Sequence, residues 1–295
     1  MPASVAGMWF SADNLVLLAA QSACVALPAA GVPAWAERLR GRGWALVAPV
    51  SIVAAVGGIE LVPSTADVLT WVALLLVPVG CALALGWAMR PAWPPLAALA
   101  APLLALAWAT PDSRAGQLAA TALIADSAVT LGRLLAAAAP STLLKAGIFA
   151  MAAVDAWLVF TNRLQPANAV LVSAAPGPGL PQLQSASFAG AGLGYGDFFV
   201  AGLVGGVLAA QRGPQFAAAA ATLVLSLLWD QLFLVYDVLP ATVPPALVLL
   251  GCEAERLSAR GHARAARERL NRAPGWRSVR RSPAPNRRSR SDVSS

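Results

Sequence analysis

Long apolar runs separated by short polar turns make up most of this chain, and the pattern predicts transmembrane helices. A helix needs roughly 20 mostly apolar residues to cross a bilayer. Nine runs reach or approach this length, although prolines and Arg133 interrupt the fourth and fifth, and prolines begin the short ninth. The predicted spans are 14–35, 44–62, 68–89, 92–110, 116–139, 142–161, 188–209, 215–236 and 240–253. The sequence therefore predicts an all-α polytopic membrane protein.

Composition agrees with this prediction and narrows the choice of partners. Hydrophobic residues make up 58% of the chain and charged residues only 12%, as is typical of membrane proteins. The net charge of +7 comes from a tail, because twelve arginines lie beyond Glu255 and the membrane body is nearly free of charge. A basic tail next to a membrane favours contact with anionic lipid headgroups over nucleic acid. We expect a lipid contact and no nucleic-acid partner.

The predicted spans offer no pattern of metal ligands. The single histidine, His262, lies in the tail. Cys24, Cys81 and Cys252 lie in or beside apolar spans and lack the spacing of metal ligands, so they are interpreted as small buried residues. We expect no metal and no cofactor.

Basic residues alternate between the two sides of the predicted spans. One side carries Arg38, Arg40, Arg42, Arg90, Lys145, Arg212 and the tail, whereas the other carries only Arg114 and Arg163. Cytoplasmic loops are enriched in Lys and Arg. The pattern therefore predicts an integral protein of the plasma (inner) membrane, with its N-terminus extracytoplasmic and its C-terminus cytoplasmic.

Two carboxyl groups stand out because each is the only charge in its stretch of a predicted span. Asp155 lies in the sixth span and Asp197 in the seventh, about nine residues from the outer end of that span. A carboxylate at bilayer depth costs several kcal/mol, roughly 2.5 or more, and usually faces a protein interior or a water-filled cavity. Two such groups on neighbouring helices can share one proton, so both are candidate functional residues.

The residues around Asp197 resemble a known family. Gly194-Tyr195-Gly196-Asp197 is a G-x-G-D motif, and the stretch that continues to Gly205 is similar to the seventh helix of presenilins and signal peptide peptidases. These proteins are intramembrane aspartyl proteases. Asp155 matches the aspartate on the sixth helix of the family, although Val154 stands where a tyrosine is usual. The resemblance covers about residues 142–253, and its motifs fall on spans six, seven and nine.

The family's third motif, Pro-Ala-Leu at the start of the ninth helix, has two candidates in this sequence. Pro240-Ala241-Thr242 has the matching flank but Thr in place of Leu, and Pro245-Ala246-Leu247 is an identical match further along. The first is slightly favoured. The resemblance implies cleavage of membrane-spanning peptide substrates, with Asp155 and Asp197 as catalytic residues and the motif residues positioning the substrate.

The residue types fit this chemistry on physical grounds. Peptide hydrolysis needs a carboxylate to activate water and a proton donor for the carbonyl oxygen, and two adjacent carboxyl groups supply both because they cannot both ionise easily. The pair therefore titrates as a unit. Gly194 and Gly196 remove side chains beside Tyr195, which allows close approach by a substrate backbone or by a neighbouring helix. Those two interpretations of the glycines remain open.

Other functions also remain open at this stage. A prepilin-type peptidase pairs an aspartate with G-x-G-D and would use Asp155 with Pro166 and Asn168, but here Pro and Asn are not adjacent and no Lys follows Asp197. A proton-coupled transporter or an inactive homologue would also keep two aspartates in the membrane. We expect Asp126 and Arg133 to take part in a structural polar contact. We expect Asp230 to lie near the end of its span, where water reaches it.

The predicted domains are a nine-helix membrane domain, 1–253, and a basic cytoplasmic tail, 254–295. The candidate catalytic part is about 142–253. The connection 161–187 is rich in Pro, Gly, Ser and Ala and predicts a flexible link with little helix. In the tail we expect an amphipathic segment at 253–270, followed by a disordered end.

Overall fold

The computed structural model of the chain is mainly helical and describes residues 12–30, 38, 40–177, 179–236 and 238–272. Within these ranges it contains ten α-helices and one two-stranded antiparallel sheet. The helices are α1 Ala12–Ala26, α2 Val47–Leu61, α3 Thr65–Leu83, α4 Ala100–Ala109, α5 Arg114–Ala138, α6 Ser141–Phe160, α7 Leu164–Ser173, α8 Tyr195–Ala210, α9 Gln215–Trp229 and α10 Val243–Arg272. The strands are β1 Ser185–Phe188 and β2 Ala191–Gly194.

Five helical segments of the described chain are long and apolar enough to cross a membrane. They are Arg42–Leu61, Thr65–Ala88, Arg114–Ala138, Ser141–Phe160 and Gln215–Phe233. The apolar segments Asn14–Ala26, Pro94–Ala109 and Tyr195–Ala210 are shorter. The architecture is consistent with an all-α membrane protein, but the predicted count of nine full spans is not shown. Prolines explain part of the difference, because Pro94 starts a 3-10 segment, Pro94–Leu99, that precedes α4.

Helix α5 lies at the centre of the fold. In its most apolar 18-residue window 67% of the residues are buried, against 17% to 44% in the other four long segments. It packs against α1, α3, α4 and most extensively α8. By contrast, α2, α3 and α9 leave large apolar side chains exposed, among them Val53, Leu75, Leu76 and Val224. An exposed apolar surface of this kind is suited to lipid.

The connection between the two aspartate helices is structured, so the prediction of a link with little helix is wrong. It contains α7 and then the hairpin of β1 and β2, with Ser185 opposite Gly194 and Phe188 opposite Ala191. The two turn residues, Ala189 and Gly190, have φ of 48° and 97°, which is the geometry of a tight hairpin turn that matches strand twist. The Pro-rich residues 176–181 lie between two ordered elements.

The described chain divides into two compact units, Met1–Leu250 and Gly251–Ser295. In the second unit α10 continues as a helix as far as Arg272. The expected disordered end of the tail, the N-terminal residues 1–11 and Asp237 lie outside the described residues.

Candidate active site

Asp197 lies in the first turn of α8 and not deep within it, so the predicted depth of about nine residues is wrong. Residues 188–194 of the predicted seventh span belong to the hairpin, and the helix begins at Tyr195. The backbone N–H of Gly194, the residue before the helix, donates to Asp197 Oδ2 at 3.0 Å. A carboxylate in this position pairs with an otherwise free backbone donor and lies at the positive end of the helix dipole. Both effects offset the cost of partly burying its charge.

Asp155 lies on α6, five residues before the helix ends at Phe160, and is 5% exposed. The hydroxyl of Thr242 donates to Asp155 Oδ2 at 2.6 Å. Burying a carboxyl group without a polar partner costs free energy. This hydrogen bond offsets part of that cost for Asp155. Thr242 belongs to the favoured third-motif candidate.

The two aspartates are brought together by contact between their helices. Helix α6 packs against α8, and the carboxyl groups of Asp155 and Asp197 are close enough for their charges to interact. Asp155 is buried, whereas Asp197 is only half-buried. One member of the pair is therefore enclosed, and the other retains access to the surroundings.

The segment 240–242 lies beside both aspartates. Pro240 and Thr242 are buried. The side-chain amide of Gln21, on α1, donates to the carbonyl oxygen of Ala241 at 2.9 Å and to that of Asp197 at 3.3 Å. Sequence analysis missed Gln21, whose only signal is an amide within an apolar run.

The alternative third-motif candidate lies one turn further along, inside α10. Pro245 and Ala246 are buried, but Leu247 is 43% exposed and so points away from the core. Of the two candidates, it is Pro240-Ala241-Thr242 that makes the described hydrogen bond to an aspartate.

The glycines of the G-x-G-D motif are not the ones that pack helices together. A Cβ on Gly194 would meet only the Asp197 carboxyl at 3.4 Å, and one on Gly196 would meet Met151 Cε at 3.7 Å, an ordinary contact. By contrast, a Cβ on Gly202 would come within 2.4 Å of the Ala128 carbonyl oxygen. Close helix packing is therefore the role of later glycines, and the two motif glycines leave space beside Asp197.

Tyr195, the second residue of the motif, connects α8 to the centre of the fold. Its hydroxyl lies 2.9 Å from Ser127 Oγ on α5. The neighbouring Asp126 is 9% exposed and accepts a weak bond from Cys81 Sγ at 3.5 Å. The contact between Tyr195 and Ser127 supports the first turn of α8 from the side of α5, whereas Asp126 bonds to Cys81 on α3.

The remaining polar residues of the membrane body have other partners. Arg133 donates to the Trp87 carbonyl oxygen at 2.7 Å, and its guanidinium carbon lies 4.0 Å from the centroid of the Trp87 ring. Asp230 lies directly after α9, accepts a hydrogen bond from Asn14 and is half-buried. Within the described ranges, no group of three or more His, Cys, Asp or Glu could hold a metal ion.

A cavity of about 240 Å³ opens at the end of α6 nearest Asp155. Val159, one of its lining residues, lies one helical turn beyond Asp155 on the same face of α6. Another lining residue, Val238, shortly precedes Pro240. The cavity therefore lies next to the elements that hold the aspartates. Its lining residues are Val159, Phe160, Asn162, Gln165, Tyr236 and Val238.

Comparison of this chain with family models, with curated proteins and with solved structures finds no match.

Proposed function

We propose that this chain is an intramembrane aspartyl protease of the G-x-G-D type, similar to presenilins and signal peptide peptidases. One observation carries the proposal: four segments far apart in the sequence, which carry Gln21, Asp155, Asp197 and residues 240–242, meet around the two aspartates. Thr242 donates to Asp155, and Gln21 joins the backbone at Asp197 to the backbone at Ala241. The substrates are peptide bonds within transmembrane segments of membrane proteins or signal peptides.

The mechanism follows from two carboxyl groups that share one proton. The ionised carboxylate removes a proton from a water molecule, whose oxygen then bonds to the carbonyl carbon of the peptide, while the protonated carboxyl gives its proton to the carbonyl oxygen. When the resulting tetrahedral intermediate collapses, the C–N bond breaks and the leaving nitrogen takes up a proton. The products are a carboxylic acid and an amine, and no cofactor takes part.

Access by a substrate backbone is supported by the space around Asp197. Gly192 and Gly194 of β2 are exposed, and since glycine has no side chain the exposed surface is backbone. An extended peptide can add to such a strand through main-chain hydrogen bonds. Because β2 leads directly into α8, a peptide held there would lie beside Asp197. A membrane helix must unwind locally before it can bind in this way.

Cleavage of a reporter transmembrane peptide by the purified protein in detergent tests the proposal. We expect mass spectrometry to find products cut inside the hydrophobic segment with the wild type, and none with the Asp155→Ala/Asp197→Ala double variant. Equal product from both proteins would contradict the proposal. A cut confined to the boundary next to a basic leader would instead favour a prepilin-type peptidase. Aspartate-dependent proton or solute flux into liposomes, without cleavage, would favour a transporter.

Removing the hydroxyl of Thr242 should slow cleavage without unfolding the protein. Thr242→Val keeps the shape of the side chain but leaves Asp155 without its donor, and hydrogen bonds to charged groups contribute about 1.5 to 3 kcal/mol. We expect kcat to fall about 10- to 100-fold in the reporter assay. Thr242→Ser retains the hydroxyl and is the matched control, with kcat within a few-fold of wild type. Equal kcat for the two variants would show that the bond to Asp155 has no part in catalysis.

The pH dependence of kcat should be bell-shaped. At low pH both carboxyl groups are protonated and none can activate water, and at high pH both are ionised and none can donate a proton. Titratable groups on helices packed against α8 include Cys24 on α1, Asp126 on α5 and Lys145 on α6, and Tyr195 lies on α8 itself. The profile of Asp126→Asn should therefore be recorded alongside. A profile that stays flat from about pH 4 to pH 9 would argue against joint action of the two carboxyl groups.

We also infer a plasma (inner) membrane location with the N-terminus extracytoplasmic, from the alternation of basic residues. Reporter fusions made after selected residues should separate the two sides. Fusions after Gly41, Arg90, Arg212 and Arg260 should report as cytoplasmic, and those after Ser64, Pro176 and Asp237 as extracytoplasmic. A tail found outside would reverse the orientation.

A further inference from the structure

Gln21 is a fully buried amide in the middle of α1. It is 0% exposed and shares its helix with the buried residues Leu17, Leu18 and Val25. A polar side chain enclosed among apolar ones costs free energy unless its atoms are paired. A leucine or methionine would fill the same space without that cost, so the amide needs a reason of its own.

Both acceptors of Gln21 are backbone carbonyl oxygens, which fixes how the amide is oriented. Of the two polar atoms of the glutamine amide, only Nε2 carries hydrogens to donate, so Nε2 must face the carbonyl oxygens of Ala241 at 2.9 Å and Asp197 at 3.3 Å. Among the described residues, the opposite atom, Oε1, is buried and has no hydrogen-bond partner. Within that part of the chain, the orientation that satisfies the donor therefore leaves the acceptor atom of the amide unpaired.

These two bonds complete a connection between the proposed catalytic residues. The chain of contacts runs from the Asp197 backbone to Gln21, from Gln21 to the Ala241 backbone, and from the adjacent Thr242 hydroxyl to the Asp155 carboxyl. Each step is a direct hydrogen bond or a peptide bond between neighbours. The separation of the two carboxyl groups therefore depends on where Gln21 holds the two backbone segments.

A second buried glutamine, Gln215, offers a comparison within the same protein at a distance from the aspartates. It is 6% exposed, and its Nε2 donates to the carbonyl oxygens of Pro28 and Gly205 among others. Its Oε1 accepts from Arg90, so both ends of the amide are satisfied. Gln215 also joins the end of α1 to α8 and α9, but at the opposite end of α8 from Asp197.

We infer that Gln21 is a positioning residue, which holds the first turn of α8 and the segment 240–242 at the separation that lets Asp155 and Asp197 share one proton and one water. The inference rests on the proposed protease function for its catalytic consequence. Its geometric part concerns only the separation of the two carboxyl groups. Their mutual influence on titration can be measured without substrate turnover.

The test compares Gln21→Met with Gln215→Met, because methionine has nearly the shape of glutamine but cannot donate. In Gln21→Met we expect kcat to fall about 10- to 100-fold with little change in KM, since displacing a catalytic group by about 1 Å can cost this much. The two limbs of the pH profile should move towards each other, because carboxyl groups that are further apart influence each other less. In Gln215→Met, thermal stability should fall, whereas the two limbs of the pH profile should keep their wild-type positions.

An infrared titration of the protonated carboxyl band separates this inference from the proposed function. The bands of Asp155 and Asp197 are assigned by their loss in Asp155→Asn and Asp197→Asn. If the wild type does not cleave the reporter but the two titration steps converge in Gln21→Met only, the protease proposal fails and the positioning role stands. Unchanged titration steps in Gln21→Met would overturn the positioning role, whether or not the wild type cleaves.

Discussion

Replacing Asp155 or Asp197 with Asn should abolish cleavage of the reporter peptide, with kcat/KM falling on the order of 10³-fold or more. Asparagine keeps the size of the side chain but can neither accept nor release the catalytic proton. Because each carboxyl performs one half of the same step, the double variant should be no slower than either single variant. Initial rates of product formation, measured for all three variants under saturating and dilute substrate, check both expectations.

Asp126→Asn is the matched control for these variants. Asp126 is also a buried carboxyl within the membrane body, but its described partner is Cys81 on α3 and not either aspartate of the pair. Its replacement removes a comparable charge and should leave the rate within a few-fold of wild type. Residual rates that multiply in the double variant would mean that Asp155 and Asp197 act independently, which the shared-proton mechanism does not allow.

Hydropathy and motifs predicted which helices carry the aspartates, but not where each aspartate lies along its helix. Residues 188–194 are small or apolar and contain no proline, so a sequence window cannot distinguish them from the start of a helix. The structure places them in the hairpin, because cross-strand pairing of Ser185 with Gly194 satisfies their backbone groups. Asp197 consequently moves from the interior of a predicted span to a helix N-terminus.

The role of Gln21 could not be predicted from local sequence. Its two acceptors lie 176 and 220 residues away along the chain, so its function depends on which distant backbone segments the fold brings beside α1. Thr242 is a different case, because the resemblance of its flanking residues to a known motif located it before any contact was known. Motif matching locates residues that a family shares, whereas a single amide that bridges backbone atoms has no pattern to match.

Local sequence also does not distinguish the roles of the glycines in the stretch 192–206. These roles differ in the structure. Gly202 and Gly206 form the close contact between α8 and α5, the most extensive helix pair of the fold. A Cβ on Gly206 would lie 2.5 Å from the Gly132 carbonyl oxygen, and one on Gly202 would lie 2.4 Å from that of Ala128. Membrane helices pack through such small residues because their backbones must approach closely.

Gly202→Val and Gly206→Val should therefore each prevent stable folding. The added side chains would meet backbone atoms, which cannot rotate away as a flexible side chain can, and inserting extra atoms into a packed core costs about 1 to 3 kcal/mol or more. Helix α8 would be displaced from α5, which forms the centre of the fold, and Asp197 would be displaced with it. We expect a large loss of monodisperse protein in detergent and a lowered midpoint of thermal unfolding.

Gly57→Val is the control that separates packing from the general effect of valine in a membrane helix. It lies on α2, and a Cβ at this position would meet no atom of the described residues within 4 Å, apart from its chain neighbours and the backbone of its own helix. This variant should remain monodisperse, with a thermal midpoint close to that of the wild type. If Gly202→Val and Gly57→Val unfold at the same temperature, the α5 and α8 backbones cannot be as close as described. The position of Asp197 relative to Asp155 would then need another support, since the packing of α8 on α5 fixes the helix whose first turn carries the carboxyl.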